Sequence, residues 1–300
     1  MEPQVLSGVV TEPGDLMVNV GRVSFAGTDA TAIPSGVTDW TYFRGALLVI
    51  LVRDADGAVA NGTAFMIAPG LALTATHTVD DHTRGWQSGD VELICVGPTP
   101  NCLVLWRVTS ILAAEGDDIA YLSLRLISEP EASPMGIRLF ALTTRAPAVA
   151  ERVHIFGFRF NALHGTGGEI NMSGDLYAAA GVVQAIHHPH RDAVLMPYPT
   201  IEVACGALGA MSGGPVVDDA GFVVGIVSRA FETAEGDGPT SAPWVIGGLD
   251  REVAIDWPSE MYPDPVSVLG IEDDLLKIEG RDSLRRTDSG EIAYSPWSLR

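Results

Sequence analysis

The sequence of 300 residues is poor in basic side chains and in long apolar runs. Lysine and arginine together number 18, against 38 aspartates and glutamates, which gives a formal net charge of −20. Binding to nucleic acid or to an anionic membrane depends on basic groups, so neither is an expected partner. The longest apolar run, residues 45–52, is much shorter than a membrane span and suits a β-strand.

Cysteine is also scarce, with only Cys95, Cys102 and Cys205. Three cysteines do not make a disulfide framework. Cys95 and Cys102 flank a short Gly-Pro-Thr-Pro-Asn loop, and in an exported protein they would be able to form a disulfide. The preferred interpretation is that both are ordinary free thiols. The first ten residues lack the basic and apolar regions of a secretion signal. We therefore expect a cytoplasmic protein.

Hydrophobic residues make up 47% of the chain and charged residues 19%, so a chain of this length buries a core without metal or disulfides. Three histidines lie close together at His187, His188 and His190, a pattern that zinc or nickel sites use. No fourth ligand is evident beside them. The sequence therefore predicts no metal site and no cofactor.

Short apolar runs rich in β-branched residues recur along the chain, separated by glycine, proline and aspartate. Such a pattern is typical of an all-β sandwich or barrel. Helical turns are predicted only just after His77 and around residues 250–255. The predicted strands cover residues 47–53, 63–67, 91–96, 103–111, 119–124, 137–142, 152–158, 181–186, 201–203, 215–217, 223–228 and 244–246.

The segment 143–151 is the best candidate linker between two β-rich halves of similar length. Strand patterning is weak over the first forty residues, and the composition changes after Pro258. The segment after Pro258 is either a solvated extension or is docked on the protein through its last apolar residues. The predicted division is an N-terminal extension (1–40), an N-terminal half (41–145), a C-terminal half (146–258) and a C-terminal extension (259–300).

Three short segments carry candidate chemistry: Thr-Ala-Thr-His ending at His77, Asp-Asp-Ile-Ala containing Asp118, and Met-Ser-Gly-Gly-Pro containing Ser212. Each alone is a weak signal, since a histidine after a strand or a glycine-rich turn is usually structural. Together they supply a nucleophile, a base and a carboxylate that orients the base. The glycines beside Ser212 let backbone N–H groups turn toward a developing oxyanion.

In this order the segments TATH, DIAYL, MSGGPVV and VVGIVSR resemble the chymotrypsin-like serine peptidases, in particular bacterial members without disulfides. The resemblance covers about residues 45–250. It implies two six-stranded antiparallel β-barrels with the active site between them. It also implies His77 as general base, Asp118 as its orienting partner and Ser212 as nucleophile, with Asp117 as the rival to Asp118.

The same resemblance assigns further positions around the triad. The backbone N–H groups of Ala210 and Ser212 would form the oxyanion hole, and Ser228 would support Asp118. Arg229, Ala230 and Phe231 would pair with the backbone of an extended substrate.

Three positions depart from the usual family pattern, and one of them is Arg229, which replaces a common aromatic residue on the substrate-binding strand. Ala210 replaces a glycine at the oxyanion hole, where a side chain resists positive φ. Met211 replaces the acidic residue that pairs with a newly cut N-terminus in animal members. Two further positions bear on specificity: Gly206 stands where members that prefer Lys or Arg carry Asp, and Ala230 replaces a usual glycine of the pocket wall, which would narrow the pocket entrance. We therefore predict cleavage after a small or medium neutral residue.

The sequence thus predicts a cofactor-free serine endopeptidase acting on a protein or peptide substrate. One alternative is a catalytically weak or inactive protease fold that serves as a binding or regulatory module. Another is a peptidase that residues 1–40 or 259–300 keep inactive until a signal or a regulatory partner protein releases it.

Overall fold

The computed structural model describes residues 6–11, 16–27, 40–113, 116–129, 136–165, 168–207, 209–233, 236–262, 265–288 and 292. Most regular structure in these ranges is β-strand, which confirms the predicted all-β class. The helical elements are α1 (Asp80–Ser88) and short 3-10 turns at Trp40–Phe43, Thr76–Thr78, Val245–Gly248, Val268–Gly270 and Arg281–Ser283. The strands are β1 (Leu6–Val9), β2 (Met17–Gly27), β3 (Leu47–Arg53), β4 (Ala58–Ala68), β5 (Leu71–Thr74), β6 (Glu92–Pro98), β7 (Leu103–Ala113), β8 (Ala120–Leu126), β9 (Ala141–Thr143), β10 (Arg152–His164), β11 (Glu169–His187), β12 (Thr200–Val203), β13 (Pro215–Asp218), β14 (Phe222–Ile226), β15 (Arg229–Thr233), β16 (Gly236–Pro243), β17 (Glu252–Val253), β18 (Val266–Ser267) and β19 (Ile278–Glu279).

Six consecutive strands close into the first barrel, in the order β3-β4-β5-β8-β7-β6 with antiparallel pairing throughout. Successive side chains of a strand point to opposite faces, so each strand serves two environments. One face of the strands forms a buried hydrophobic cluster that contains side chains from all six strands, among them Leu48, Ile50 and Trp106. The alternate set, including Val49 and Phe65, joins a core continuous with the second sheet. Because the side chains on both faces are buried, the sequences of these strands are unbroken apolar runs.

The second sheet has eleven described strands, nine of them in the order β15-β16-β12-β11-β10-β13-β14-β9-β19, with β2 joined to β11 and β1 to β2. β17 and β18 form a separate two-stranded sheet. The central pairs of the eleven-stranded sheet, β11 with β10 and β12 and β10 with β13, are antiparallel. A closed six-stranded barrel beside this sheet agrees with the predicted chymotrypsin-like architecture.

The N-terminal segment is more ordered than its weak patterning predicted. β2 pairs in parallel with β11, with Val18 opposite Ile170, and β1 pairs with β2. The side chains of Leu16, Val18 and Val20 are buried at alternate positions. This alternation is short, and parallel pairing with a strand about 150 residues away has no local sequence signal. Residues 1–5, 12–15 and 28–39 of the predicted extension lie outside the described residues.

In the predicted C-terminal extension, whose described residues are 259–262, 265–288 and 292, the segment 265–288 is docked. β19 pairs in parallel with β9, and Leu276 and Ile278 are buried. The guanidinium of Arg281 donates to the carbonyl oxygens of Leu269, Ile271 and Leu276, which holds the segment in a compact turn. Docking therefore uses residues well before the apolar end of the chain. Of that end, only Ile292 is among the described residues.

Two strand predictions and one helix prediction differ from the structure. Residues 244–246 form an isolated bridge at Trp244 and a 3-10 turn, because Gly247 and Gly248 end the apolar run. Residues 137–140 are not a strand, since the Phe140 N–H donates to the Met66 carbonyl instead of entering a ladder. Residues 250–255 contain the short strand β17 rather than a helix.

The predicted helix after His77 is confirmed as α1, with Asp80 and Asp81 in its first turn and Gly89 in the left-handed conformation at its end. Within the described ranges, no helix has both the length and the apolar character needed to cross a membrane. The three cysteines are free thiols, and burial raises the pKa of Cys95 to about 12 and that of Cys205 to about 11.

Candidate active site

His77 lies in a tight turn directly after strand β5. The Thr78 hydroxyl donates to the Ala75 carbonyl at 2.7 Å, and Asn61 Nδ2 donates to the Thr78 carbonyl at 2.7 Å. These bonds fix the backbone on one side of the imidazole. The His77 side chain is 40% exposed, so the ring is accessible from solvent.

Asp118 faces His77 from the start of β8 and is buried. Its Oδ1 accepts the backbone N–H of His77 at 3.0 Å, and its Oδ2 lies 2.8 Å from Nδ1 of the ring. The Ser228 hydroxyl donates to the same Oδ2 at 2.5 Å. A carboxylate at Nδ1 favours the tautomer with the proton on that nitrogen, which leaves Nε2 as a proton acceptor.

Burial alone would raise the pKa of Asp118. The hydrogen bonds from His77 and Ser228, together with the nearby imidazole, outweigh burial and hold the pKa of Asp118 below its ordinary value of 3.8. The carboxyl group is therefore ionised at neutral pH. An ionised carboxylate is the form that stabilises a neighbouring imidazolium.

Asp117, the rival candidate, points to a different partner. Its Oδ1 accepts the N–H of Ile119 at 3.0 Å, and its Oδ2 accepts a hydrogen bond from Nη2 of Arg251. Burial raises the pKa of Asp117 above its ordinary value, although Arg251 opposes this shift. The imidazole of His77 thus meets Asp118 and not Asp117.

Ser212 lies in a turn that leads into β13. The N–H of Gly213 donates to the Val227 carbonyl at 2.7 Å, and the carbonyl of Ser212 accepts the N–H of Thr63 at 2.8 Å. Gly213 has a φ of +85°, and a Cβ on Gly213 would lie 2.0 Å from the carbonyl oxygen of Thr63. Only glycine fits this position, so the turn depends on the Ser-Gly-Gly sequence.

The hydroxyl of Ser212 donates to the carbonyl oxygen of Ser228 at 3.3 Å. Among the hydrogen bonds of the described residues, none joins this hydroxyl to the ring of His77. The three predicted triad residues are nevertheless linked through Ser228, whose hydroxyl contacts Asp118 and whose carbonyl contacts Ser212. Catalytic hydrogen bonds are often long in the absence of substrate.

Ala210 adopts the left-handed backbone conformation, with a φ of +73°. The hydroxyl of Thr63 donates to the Ala210 carbonyl oxygen at 3.0 Å and accepts the N–H of Phe158 at 3.0 Å. Thr63 is completely buried, so this orientation is fixed. Sequence reasoning missed Thr63, because nothing in a strand sequence marks a contact 147 residues away.

The predicted substrate-binding positions lie on and beside strand β15. Arg229 and Ala230 are exposed; Phe231 is on the strand, but its side chain is outside what the structure describes. β15 is the first strand of its sheet, and within the described ranges only β16 pairs with it. Its free edge is therefore open to an additional strand.

Gly206 is half-buried in the loop that runs toward Ser212. Thr240, on β16 opposite Ala230, spans this loop: its hydroxyl donates to the Cys205 carbonyl at 2.6 Å and accepts the N–H of Ala207 at 2.9 Å. A buried threonine with both hydrogen-bonding functions occupied presents no free polar group to the loop. Thr240 was not anticipated from the sequence.

The histidine cluster does not come together as a metal centre. His187 Nε2 lies 3.3 Å from Oε2 of Glu202, which Arg191 also contacts at 2.9 Å. The described part of the chain contains no group of three or more histidine, cysteine, aspartate or glutamate side chains suited to a metal ion. Glu202 is thus shared between a histidine and an arginine.

The sequence pattern of the trypsin-like peptidase domain family matches residues 62–226, which is more than half of the chain. The chain belongs to this family. As a trypsin-like peptidase it is a serine endopeptidase, and the match spans His77, Asp118 and Ser212. No curated protein sequence matches the chain.

Three solved structures are similar to this trypsin-like peptidase at low identity. The active form of the Rv3671c protease from M. tuberculosis has 14% identity and a TM-score of 0.47, over 73% of this chain and 84% of that chain. The HtrA-type protease AlgW with a decapeptide has 15% identity and a TM-score of 0.47, over 68% and 62%. The MamO protease domain from Magnetospirillum magneticum has 15% identity and a TM-score of 0.43, over 68% and 93%.

Proposed function

We propose that this peptidase cleaves peptide bonds with Ser212 as nucleophile, His77 as general base and Asp118 as the group that orients the base. The observation that carries this proposal is the buried Asp118 carboxylate, which accepts hydrogen bonds from the N–H of His77, from its ring and from Ser228. Such a carboxylate fixes the tautomer that a general base requires.

In the proposed reaction, Nε2 of His77 takes the hydroxyl proton as Ser212 Oγ attacks the carbonyl carbon of the substrate. The tetrahedral intermediate collapses, the C–N bond breaks, and the imidazolium gives its proton to the leaving amine. Water then attacks the acyl-enzyme with His77 again acting as base, which releases the acid and restores Ser212. The backbone N–H groups of Ala210 and Ser212 would stabilise the oxyanion in both steps.

An extended peptide would bind by adding a strand to the free edge of β15, at Arg229, Ala230 and Phe231. The exposed Arg229 and Ala230 support this assignment. A small or medium neutral residue would occupy the pocket beside Gly206. Two features support this preference: Gly206 carries no acidic group, and Ala230 lies opposite Thr240 across a strand pair.

A peptidase held in a resting state is the second candidate. It is favoured by the hydroxyl of Ser212, which donates to the Ser228 carbonyl and not to His77. In that case a substrate or a regulatory partner protein would rotate the hydroxyl toward the imidazole. The division at 41–145 and 146–258 and the cytoplasmic location stay predictions.

Labelling by a fluorophosphonate tests the proposal without knowledge of the substrate, because the probe needs an activated serine and an oxyanion hole. We expect intact protein to be labelled, S212A and H77A to lose labelling, and S88A, which removes an exposed hydroxyl on α1, to label like the wild type. Labelling that persists in S212A would refute the assignment of the nucleophile. No labelling of folded intact protein would favour the resting state or a non-catalytic module.

A further inference from the structure

Arg251 makes hydrogen bonds to the residue before Asp118 and to the residue after it, and none that the structure describes to the Asp118 carboxylate itself. We call this arrangement the Arg251 clamp. Nη2 of Arg251 donates to Oδ2 of Asp117, and its Nη1 donates to the carbonyl oxygen of Ile119 at 2.7 Å. The N–H of Ile119 in turn donates to Asp117 Oδ1 at 3.0 Å. One planar guanidinium thus spans the residue before Asp118 and the residue after it.

The clamp is shielded from water. The side chain of Arg251 is 13% exposed and that of Asp117 is 17% exposed. At this depth the ion pair is only weakly screened by solvent, and two donors in a rigid fork restrain the backbone more than a single flexible charge does. Arg251 therefore limits how far the turn that carries Asp118 can move.

The backbone of Arg251 is itself anchored. Its N–H donates to the Gly248 carbonyl at 3.2 Å, and its carbonyl accepts the N–H of Val268 at 3.0 Å. The chain after Arg251 lies along the first barrel. There Asp256 accepts hydrogen bonds from Thr109 at 2.9 Å and from Arg125 at 2.8 Å. The backbone that carries the Arg251 side chain is thus held in place by the C-terminal part of the chain.

We propose that Arg251 is a positioning residue for the peptidase reaction: by holding Asp117 and Ile119, it sets the Asp118 carboxylate at hydrogen-bond distance from His77. This inference rests on the proposed function. The carboxylate contacts His77 at two atoms, 3.0 and 2.8 Å away, so a small rotation of the turn would break both hydrogen bonds. A misplacement of about 1 Å in a catalytic group is enough to slow a reaction about 10²-fold.

Three variants separate positioning from general support of the fold. R251M removes the clamp but leaves Asp117 as an unpaired charge. The double variant D117A/R251M removes both charges, so it leaves no buried unpaired charge, although the N–H and the carbonyl of Ile119 lose their side-chain partners. R125M is the matched control, because Arg125 joins the same C-terminal segment to β8 through Asp256, away from Asp118.

Two readouts are needed. Steady-state hydrolysis of a p-nitrophenyl ester gives kcat and KM, and the NMR resonance of the Nδ1 proton of His77 reports the hydrogen bond to Asp118 directly. We expect both clamp variants to lower kcat about 10- to 100-fold with little change in KM, and to move or broaden the Nδ1 proton resonance. R125M should stay within about twofold of wild-type kcat and leave the resonance unchanged, because an exposed ion pair contributes little.

Clamp variants that fold and retain both wild-type kcat and the wild-type resonance would overturn the inference. A loss of kcat in R125M equal to that in the clamp variants would also overturn it, because Arg251 would then only attach the C-terminal segment to the first barrel. If folded wild-type protein neither hydrolyses the ester nor reacts with a fluorophosphonate, the proposed function fails. The Nδ1 resonance, which needs no turnover, would then still decide whether Arg251 positions Asp118.

Discussion

The hydroxyl of Thr63, on strand β4 of the first barrel, donates a 3.0 Å hydrogen bond to the carbonyl oxygen of Ala210 in the loop before Ser212. Holding this carbonyl fixes the orientation of the peptide plane that follows Ala210. It also maintains Ala210 at a φ of +73°, a conformation that costs an alanine about 1–2 kcal/mol. The contact joins the half that carries the predicted base to the half that carries the predicted nucleophile.

Substitutions at Ala210 should separate strain from catalysis. Glycine adopts positive φ freely but makes the unfolded chain more flexible, so we expect A210G to raise the free energy of unfolding by about 1 kcal/mol at most. A β-branched residue resists this conformation, and we expect A210V to slow fluorophosphonate labelling about 10²-fold through loss of the Ala210 N–H donor. Chemical denaturation and labelling rates measure the two effects. Equal labelling of A210V and wild type would contradict the assigned oxyanion hole.

Two glycines near Ser212 should respond in opposite ways to alanine. A Cβ on Gly213 would meet the Thr63 carbonyl at 2.0 Å and would also be strained at positive φ. A Cβ on Gly209 would meet nothing within 4 Å. We expect G213A to lower the unfolding temperature and abolish labelling, while G209A keeps both. Comparable behaviour of the two variants would show that the turn tolerates a side chain.

The low pKa of Asp118 makes a prediction about acid unfolding. Because the folded-state pKa lies below the ordinary value of 3.8, ionised Asp118 stabilises the fold above that pH. This contribution is lost as the pH falls through the lower, folded-state value. S228A removes one hydrogen bond to the carboxylate, so the pKa of Asp118 should rise and unfolding should begin at a higher pH.

Circular dichroism across an acid titration measures this shift. S241A is the matched control, because Ser241 lies on the neighbouring strand and its buried hydroxyl has no hydrogen-bond partner among the described residues. S241A should unfold at the wild-type pH. An S228A midpoint that does not move would mean that Ser228 contributes nothing to the ionisation of Asp118.

Removal of the C-terminal extension should destabilise the protein and should not activate it. Deletion of residues 265–300 removes the buried side chains of Val268, Leu276 and Ile278, each worth about 1.5–3 kcal/mol. We expect a lower unfolding temperature and no gain in fluorophosphonate labelling. Deletion of residues 293–300 alone, which spares this docked segment, is the control. A stable, more reactive product of the long deletion would instead support autoinhibition by the tail.

The sequence alone identified the site residues that short local motifs mark. His77 follows a strand, Asp118 lies just before one, and Ser212 stands in a glycine-rich turn; each signal is weak alone, and their order in the chain gave the family resemblance that assigned them. Thr63 and Arg251 carry no comparable signal, because their partners lie 147 and 134 residues away in the chain. The same limit explains why the parallel pairing of β2 with β11 was missed. Apolar composition alone also misassigned residues 244–246, where two glycines replace the strand with a turn.

The pairing of β2 with β11 has a consequence for the order in which the chain folds. The six strands of the first barrel occupy residues 47–126 without interruption, so this barrel has all its partners once that stretch has left the ribosome. β2 is synthesised earlier and pairs with β1 over residues 17–20, but its second partner, β11, is present only once residues 169–178 have been made. During that interval the edge of β2 that later pairs with β11 is open in the nascent chain, and an open strand edge is a place where chaperones bind and aggregation begins.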